Sequence, residues 1–254
     1  MLDRFQKDHK FSFKKPVQVP LCEGCAKGKM HSRSFPDNPK CASRPFERVH
    51  SDLKEYPILS YHKHKWFISF LDDFTSYAWI TLLQKKSDTY QACLDFLAMV
   101  KTQFNQLVKE WMSDVGGEYI DERLIKHFKN QGIIIQRSVP HMPQMNGRAE
   151  RFNRTLDEKA QSMRTHACLP DSWWEFCVLH GLYLYNRTPM RRLEWKSPSE
   201  QLHKEKPDLS HLRILGCGAY VFIPKDVRKN KLSPKSELMI FIGYRQHHSN
   251  MMFM

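Results

Sequence analysis

Trp66-Phe-Ile-Ser-Phe-Leu71 and Tyr77-Ala-Trp-Ile-Thr-Leu-Leu83, joined by Asp72-Asp73-Phe74-Thr75-Ser76, decide the fold of this chain. Two apolar runs of strand length around a cluster of turn formers read as a β-hairpin. Upstream, Val49–Leu53 reads as a short strand ending near Asp52. Downstream, Ser87 is placed to cap a helix whose apolar positions Tyr90, Leu94, Leu97, Val100 and Phe104 keep helical spacing. Leu107–Met112 reads as a fourth strand, Asp121–Asn130 as a helix and Ile133–Ile135 as a strand. A loop with Pro140, Pro143 and Gly147 leads into a helix that begins near Arg148. Its residues Ala149, Phe152, Leu156, Ala160, Met163 and Ala167 share one face. Leu169-Pro170-Asp171 interrupts it, and Asp171 is predicted to cap a further helix reaching about Asn186, whose Trp173, Trp174 and Tyr183 are read as core residues, with an oligomer interface as the alternative. Strands first, then helices alternating with strands, predict an α/β layer fold with a mixed sheet. Beyond residue 197 the pattern changes to short strands, Tyr220–Ile223 and Met239–Ile242, around the basic stretch Lys225–Lys235.

The 254 residues carry a formal net charge of +13, and 41% of them are hydrophobic. That apolar content suffices for a sizeable core, and the charge favours a polyanionic partner such as nucleic acid. The basic residues crowd the two ends of the chain, and the middle is nearly neutral. That layout suits an acidic site held between phosphate-gripping arms. The longest apolar run, Ile214–Ile223, is far short of a membrane span and holds two glycines. The first residues lack the apolar segment of a secretory signal. Seven cysteines in such a chain predict a reduced intracellular compartment without disulfides.

Three acids stand in distinctive settings: Asp52 in Val-His-Ser-Asp-Leu, Asp114 in Trp-Met-Ser-Asp-Val-Gly-Gly-Glu-Tyr, and Glu150 in Gly-Arg-Ala-Glu-Arg-Phe-Asn-Arg-Thr. Taken singly, each has a bland explanation as a turn former, a cap or a helix-dipole partner. Together, an Asp on a strand, an Asp past the end of another strand and a Glu in a first helical turn can converge. Three such carboxylates can hold two Mg²⁺ ions for phosphodiester chemistry. Asp72 and Asp73 compete for the role and are assigned to the hairpin turn; Glu118 is assigned a supporting one.

Taken together, these segments resemble the integrase of Copia-type long-terminal-repeat retrotransposons. His50-Ser51-Asp52-Leu53, the hairpin Phe70-Leu71-Asp72-Asp73-Phe74-Thr75, Ser113-Asp114 with Gly116-Gly117-Glu118-Tyr119, and Pro143-Gln144 with Asn146-Gly147 and Ala149-Glu150-Arg151 follow one another in the family's order. Tyr185-Asn186-Arg187-Thr188-Pro189 and Phe241-Ile242-Gly243-Tyr244 match later blocks. The resemblance implies a ribonuclease-H-like mixed sheet flanked by helices, with Asp52, Asp114 and Glu150 as catalytic residues binding two Mg²⁺ or Mn²⁺ ions. It implies processing of DNA 3′ ends and their transfer into target DNA, by a homo-oligomer acting in the nucleus. Cys22-Glu-Gly-Cys25 resembles the end of the family's zinc segment. Cys22 and Cys25 are half of a Zn²⁺ site, and neither His9, His31 nor Cys41 completes it at a zinc spacing. Val115 and Arg148 depart from the family, which usually carries Asn and a small or apolar residue there.

The expected organisation is a remnant of the zinc segment over 1–46, a catalytic core over 47–190 and a small basic β-containing extension over 191–254. Asn146, Arg148, Arg151, Arg154, Lys229 and Lys231 are the expected nucleic-acid contacts, holding phosphates more than reading bases. The competing expectation is a catalytically inactive relic, or a host-adopted protein that still binds DNA through its charge. The lack of neighbouring protease and reverse transcriptase sequence predicts an excised or truncated segment.

Overall fold

The hairpin is formed by β2 (Trp66–Asp72) and β3 (Ala78–Leu83), paired antiparallel from Trp66 opposite Leu83 to Leu71 opposite Ala78. The structure, a computed structural model, describes residues 41–113, 122–137, 147–245 and 250–254. β1 (Arg48–Glu55) lies antiparallel to β2 on its other side and is longer than the sequence pattern indicates. After β3, a single 3-10 turn at Lys86–Asp88 precedes helix α1 (Thr89–Phe104). Ser87 does not cap this helix. The Asp88 carboxylate instead accepts the Lys85 backbone N–H at 3.0 Å, closing the turn before it. β4 (Glu110–Ser113), helix α2 (Glu122–Asn130) and β5 (Ile134–Arg137) follow.

The five strands make one mixed sheet in the order β3-β2-β1-β4-β5, with β1, β4 and β5 parallel. Strand β2 is buried on both faces, so its alternating side chains supply two cores. Ile68 and Phe70 join Val49, Trp79 and Trp111 against Phe96 and Val100 of α1 and Leu124 and Phe128 of α2. Phe67 and Leu71, with Ala78 and Ile80, pack on the opposite face. There they meet α3 (Gly147–His166), through Phe152, Leu156 and Ala160, and α4 (Trp174–Arg187), through Trp174, Cys177, Val178 and Leu182. Gly181 lets these helices close on one another, since a Cβ there would lie 3.1 Å from Leu156 Cδ1. Asp171 begins a 3-10 turn and caps no helix; it pairs with Arg164 of α3.

A short helix α5 (Pro198–His203) leads to a second sheet. It consists of β6 (Gly218–Phe222), β7 (Ser236–Tyr244) and a third strand β8 (Met251–Phe253) that the sequence pattern did not indicate. Phe241 and Tyr244 seat it against Tyr183 of α4, with Leu212 and Phe253 around them. Trp174 and Tyr183 are thus core residues, as expected. No helix among the described residues is long and apolar enough to cross a membrane.

Candidate functional site

Alternation along β1 divides its side chains. Val49 and Leu53 enter the core beneath α1, whereas His50, Asp52 and Lys54 project toward α3. Asp52 lies mid-strand opposite Ser69 and is half-buried. Its Oδ2 accepts a 2.8 Å hydrogen bond from Asn153 Nδ2 of α3. Farther along both elements, Asp157 accepts from the Tyr56 hydroxyl at 2.7 Å and pairs with Lys54 at 2.9 Å. Burial, reinforced by the bond to Asp157, raises the Tyr56 phenol above its ordinary range and keeps it a donor. The Tyr56 ring stacks on Trp174 at 4.0 Å. Strand and helix are therefore laced together at two levels.

Glu150 is in the first turn of α3 and half-buried, where the helix dipole favours a carboxylate. Asn153 stands three residues on, hence on the same side of the helix, about 5 Å away between Cβ atoms. Its bond to Asp52 ties β1 to α3 at a point three residues along the helix from Glu150. Asn153 is buried, and its Oδ1 has no hydrogen-bond partner among the described residues. Its role is not among the expectations above, although the sequence carries a signal for it. Asn153 interrupts an apolar stripe, four residues after Ala149 and three before Leu156, where a buried polar group needs a partner.

The third predicted acid, Asp114, lies outside the described residues, as do Glu118, Asn146, Cys22 and Cys25. The parallel register of β1 and β4 sets Ser51 opposite Ser113, the residues that immediately precede Asp52 and Asp114 in the chain. Among the described residues no three metal-ligating side chains gather at one point. Asp52 and Glu150 are carboxylates of the hard-donor type that Mg²⁺ prefers, two of the three such donors the sequence reading names.

The expected phosphate contacts differ in their surroundings. Arg151, Arg154, Lys229 and Lys231 are exposed, the two lysines in the β6–β7 connection. Arg148 points inward. It donates to the backbone carbonyl of Asp73 at 2.8 Å and to Ser76 Oγ at 3.2 Å, and its guanidinium pairs with the Asp73 carboxylate. Burial, then the nearby Arg192, lowers its pKa to about 10.

Asp72 and Asp73 are also more than turn residues. The buried Asp72 carboxylate accepts from the backbone N–H groups of Phe46 at 2.7 Å and Thr75 at 2.8 Å, and from Thr75 Oγ1 at 2.6 Å. Asp73, 3% exposed, accepts from the Ala42 backbone N–H at 2.6 Å and faces His50 Nε2 at 3.1 Å. Arg192 donates to the Asp73 carbonyl at 2.7 Å and to Ser76 Oγ at 2.6 Å.

Residues 42–143 match the family model described as integrase core domain, and residues 217–252 match the retroviral polymerase SH3-like domain. The chain is 36% identical over 234 residues to a retrovirus-related Pol polyprotein from transposon TNT 1-94 of Nicotiana tabacum, covering 92% of the chain and 18% of that protein. It is 31% identical over 223 residues to the Pol polyprotein from transposon RE1 of Arabidopsis thaliana, covering 88% of the chain and 15% of the relative. It therefore spans less than a fifth of these relatives' length. Among solved structures, the simian T-cell lymphotropic virus intasome in complex with PP2A regulatory subunit B56 gamma aligns with a TM-score of 0.58 at 13% identity, over 86% of this chain and 77% of that one. The shared architecture is the ribonuclease-H-like α/β fold.

Proposed function

From a chain that belongs to the Copia-type retrotransposon Pol polyproteins and carries their integrase core, we propose a metal-dependent polynucleotidyl transferase that processes DNA 3′ ends and joins them to target DNA. The observation that carries this reading is the lacing of β1 to α3 through Asn153, which bonds Asp52 and stands three residues after Glu150 on the helix. The β1–β4 register sets Ser51 and Ser113, the residues that precede Asp52 and Asp114 in the sequence, opposite each other.

Two Mg²⁺ ions bound by Asp52, Asp114 and Glu150 would activate the attacking oxygen, water or a DNA 3′-hydroxyl, and stabilise the leaving one. The chain's own part is positional. Asp52 sits on a strand and Glu150 on a helix, and Asn153 orients the Asp52 carboxylate through Oδ2. Exposed Arg151, Arg154, Lys229 and Lys231 supply sequence-independent attraction for phosphates, consistent with the net charge of +13. Joining two DNA ends at one target calls for at least a dimer, acting in the nucleus where target DNA lies.

A strand-transfer and disintegration assay with labelled DNA in Mg²⁺ or Mn²⁺ tests the proposal, with Glu150→Gln as the control. Metal-dependent joined products from the parent and none from the variant are expected. Equal silence from both, with DNA still bound, would overturn the catalytic reading in favour of a DNA-binding relic. Nicks without joining would identify a nuclease on the same fold.

A further inference from the structure

The hairpin turn holds a buried carboxylate that the chemistry above does not use. We propose that Asp73 is a positioning residue for the carboxylate pair, clamping the strand that bears Asp52 and the helical turn that bears Glu150 through His50 and Arg148. The inference rests on reading Asp52 and Glu150 as the metal-binding pair.

The geometry is specific. His50 is two residues before Asp52 on the same strand, so both side chains project from the same face, toward α3. Its Nε2 is 3.1 Å from Asp73 Oδ1. Arg148 is two residues before Glu150, in the same first turn of α3. Its guanidinium meets Asp73 twice, at the carboxylate and at the backbone carbonyl. One side chain thus touches both elements at the same short distance along the chain from each acid. Asp73 is itself fixed. The Ala42 N–H donates to its other oxygen, and its own N–H donates to the Arg48 carbonyl at 2.9 Å.

Charge explains why a carboxylate is needed there. Arg148 and Arg192 both bond the Asp73 carbonyl and Ser76 Oγ, and Arg48 lies 3.9 Å from Asp73 Oδ2. Two guanidinium groups directed at one turn repel each other, and Arg148 is also largely removed from water, with its side chain 19% exposed. A negative charge between them keeps Arg148 turned inward. Without it, the long Arg148 side chain can reach solvent, and the first turn of α3 loses its tether to β1. Displacing a ligand by about 1 Å is enough to cost about 10²-fold in a positioned reaction.

The test compares Asp73→Asn and Asp73→Glu with the parent, using three readouts on the full chain. The first is amide hydrogen exchange in metal-free protein. Asp73→Asn should accelerate exchange at residues 151–154, whose N–H groups bond back into the first turn, and leave residues 157–163 of the same helix unchanged. The second is Mn²⁺ binding followed by the electron paramagnetic resonance of the free ion. Half-saturation should rise about tenfold, within the range typical for residues that orient metal ligands. The third is the Mn²⁺ dependence of strand transfer, where the half-maximal concentration should rise more than the saturating rate falls. Asp73→Glu should recover part of each effect.

Unaltered exchange and Mn²⁺ binding in a folded Asp73→Asn protein would overturn the proposal, as would uniform exchange along all of α3. If Asp73→Asn does not fold, Arg148→Gln, which severs only the helix side of the clamp, must show the same local exchange and weakened binding. An Arg148→Gln protein like the parent in both overturns the proposal. Hydrogen exchange separates this inference from the functional reading. A parent without strand transfer defeats that reading, and local fraying on removal of the Asp73 charge stands or falls without it.

Discussion

The two sheets of this protein are built on opposite terms. The five-stranded sheet is covered on both faces, and its central strand exposes almost nothing: Phe67, Ile68, Phe70 and Ser69 are fully buried. Among the described residues, the three-stranded sheet is covered on one side only. Tyr220 and Leu238, paired across β6 and β7, are 78% and 63% exposed, and Phe222 is 65% exposed. A sheet held between helix layers keeps side chains at fixed spacing, which metal-binding carboxylates need. A sheet seated by one face on a single helix keeps its other face and its basic connection Lys225–Lys235 in solvent. Rigidity and access thus fall to different parts of one chain.

The largest expected effect breaks this contrast from the inside. Leu156→Ala, at a fully buried site between α3 and the sheet, should cost about 3 kcal/mol in a denaturant unfolding experiment. Leu238→Ala on the open face should change stability by less than about 0.5 kcal/mol. Equal losses at the two sites would show that the outer face is covered in solution.

The seam between the two regions is sensitive to acid. His180 of α4 is buried against Tyr244 and Phe241, and burial pushes its imidazole down to about 4 from an ordinary 6.5. The folded state thus holds the neutral form, and between these values the unfolded chain binds more protons. Stability is therefore complete above about pH 7 and declines as the pH falls toward 4, by about 2 kcal/mol between pH 7 and 5 from this group alone. A parallel set of unfolding curves for His180→Phe should lack that component. An unchanged pH slope would refute the assignment.

A smaller effect tests the lacing of the rigid half. Asn153→Ala removes the donor to Asp52 and should lower stability by about 1 kcal/mol. Strand transfer at limiting Mg²⁺ should fall more steeply than at saturating Mg²⁺, and parallel falls would speak against an orienting role. The smallest effect lies on the exposed half. Lys229→Gln and Lys231→Gln should leave unfolding unchanged, and each should reduce the salt slope of DNA binding by about 1. A slope that does not move would remove these lysines from the DNA surface.

Much of the fold was legible from local pattern. The β2–β3 hairpin, the helical spacing from Tyr90 to Phe104 and the apolar stripe of α3 all emerge from residues within a few positions of one another. The misreadings are also local. Ser87 and Asp171 have the chemistry of caps, but a 3-10 turn intervenes in each case, and Asp171 meets Arg164 instead. β8 is three residues long and pairs only because β7 is already in place, so periodicity could not reveal it.

Local residue pattern alone specifies the layer fold, the basic balance and three acids in settings that match an integrase. The tertiary structure alone decided what the remaining polar residues do. Asp73 meets Ala42, His50 and Arg148, which are 31, 23 and 75 positions away. Asn153 meets Asp52 across 101. Strand and helix periodicities arise from backbone geometry and carry information over a few residues. The partner of a buried charge is set by which elements pack together, and that choice belongs to the whole chain.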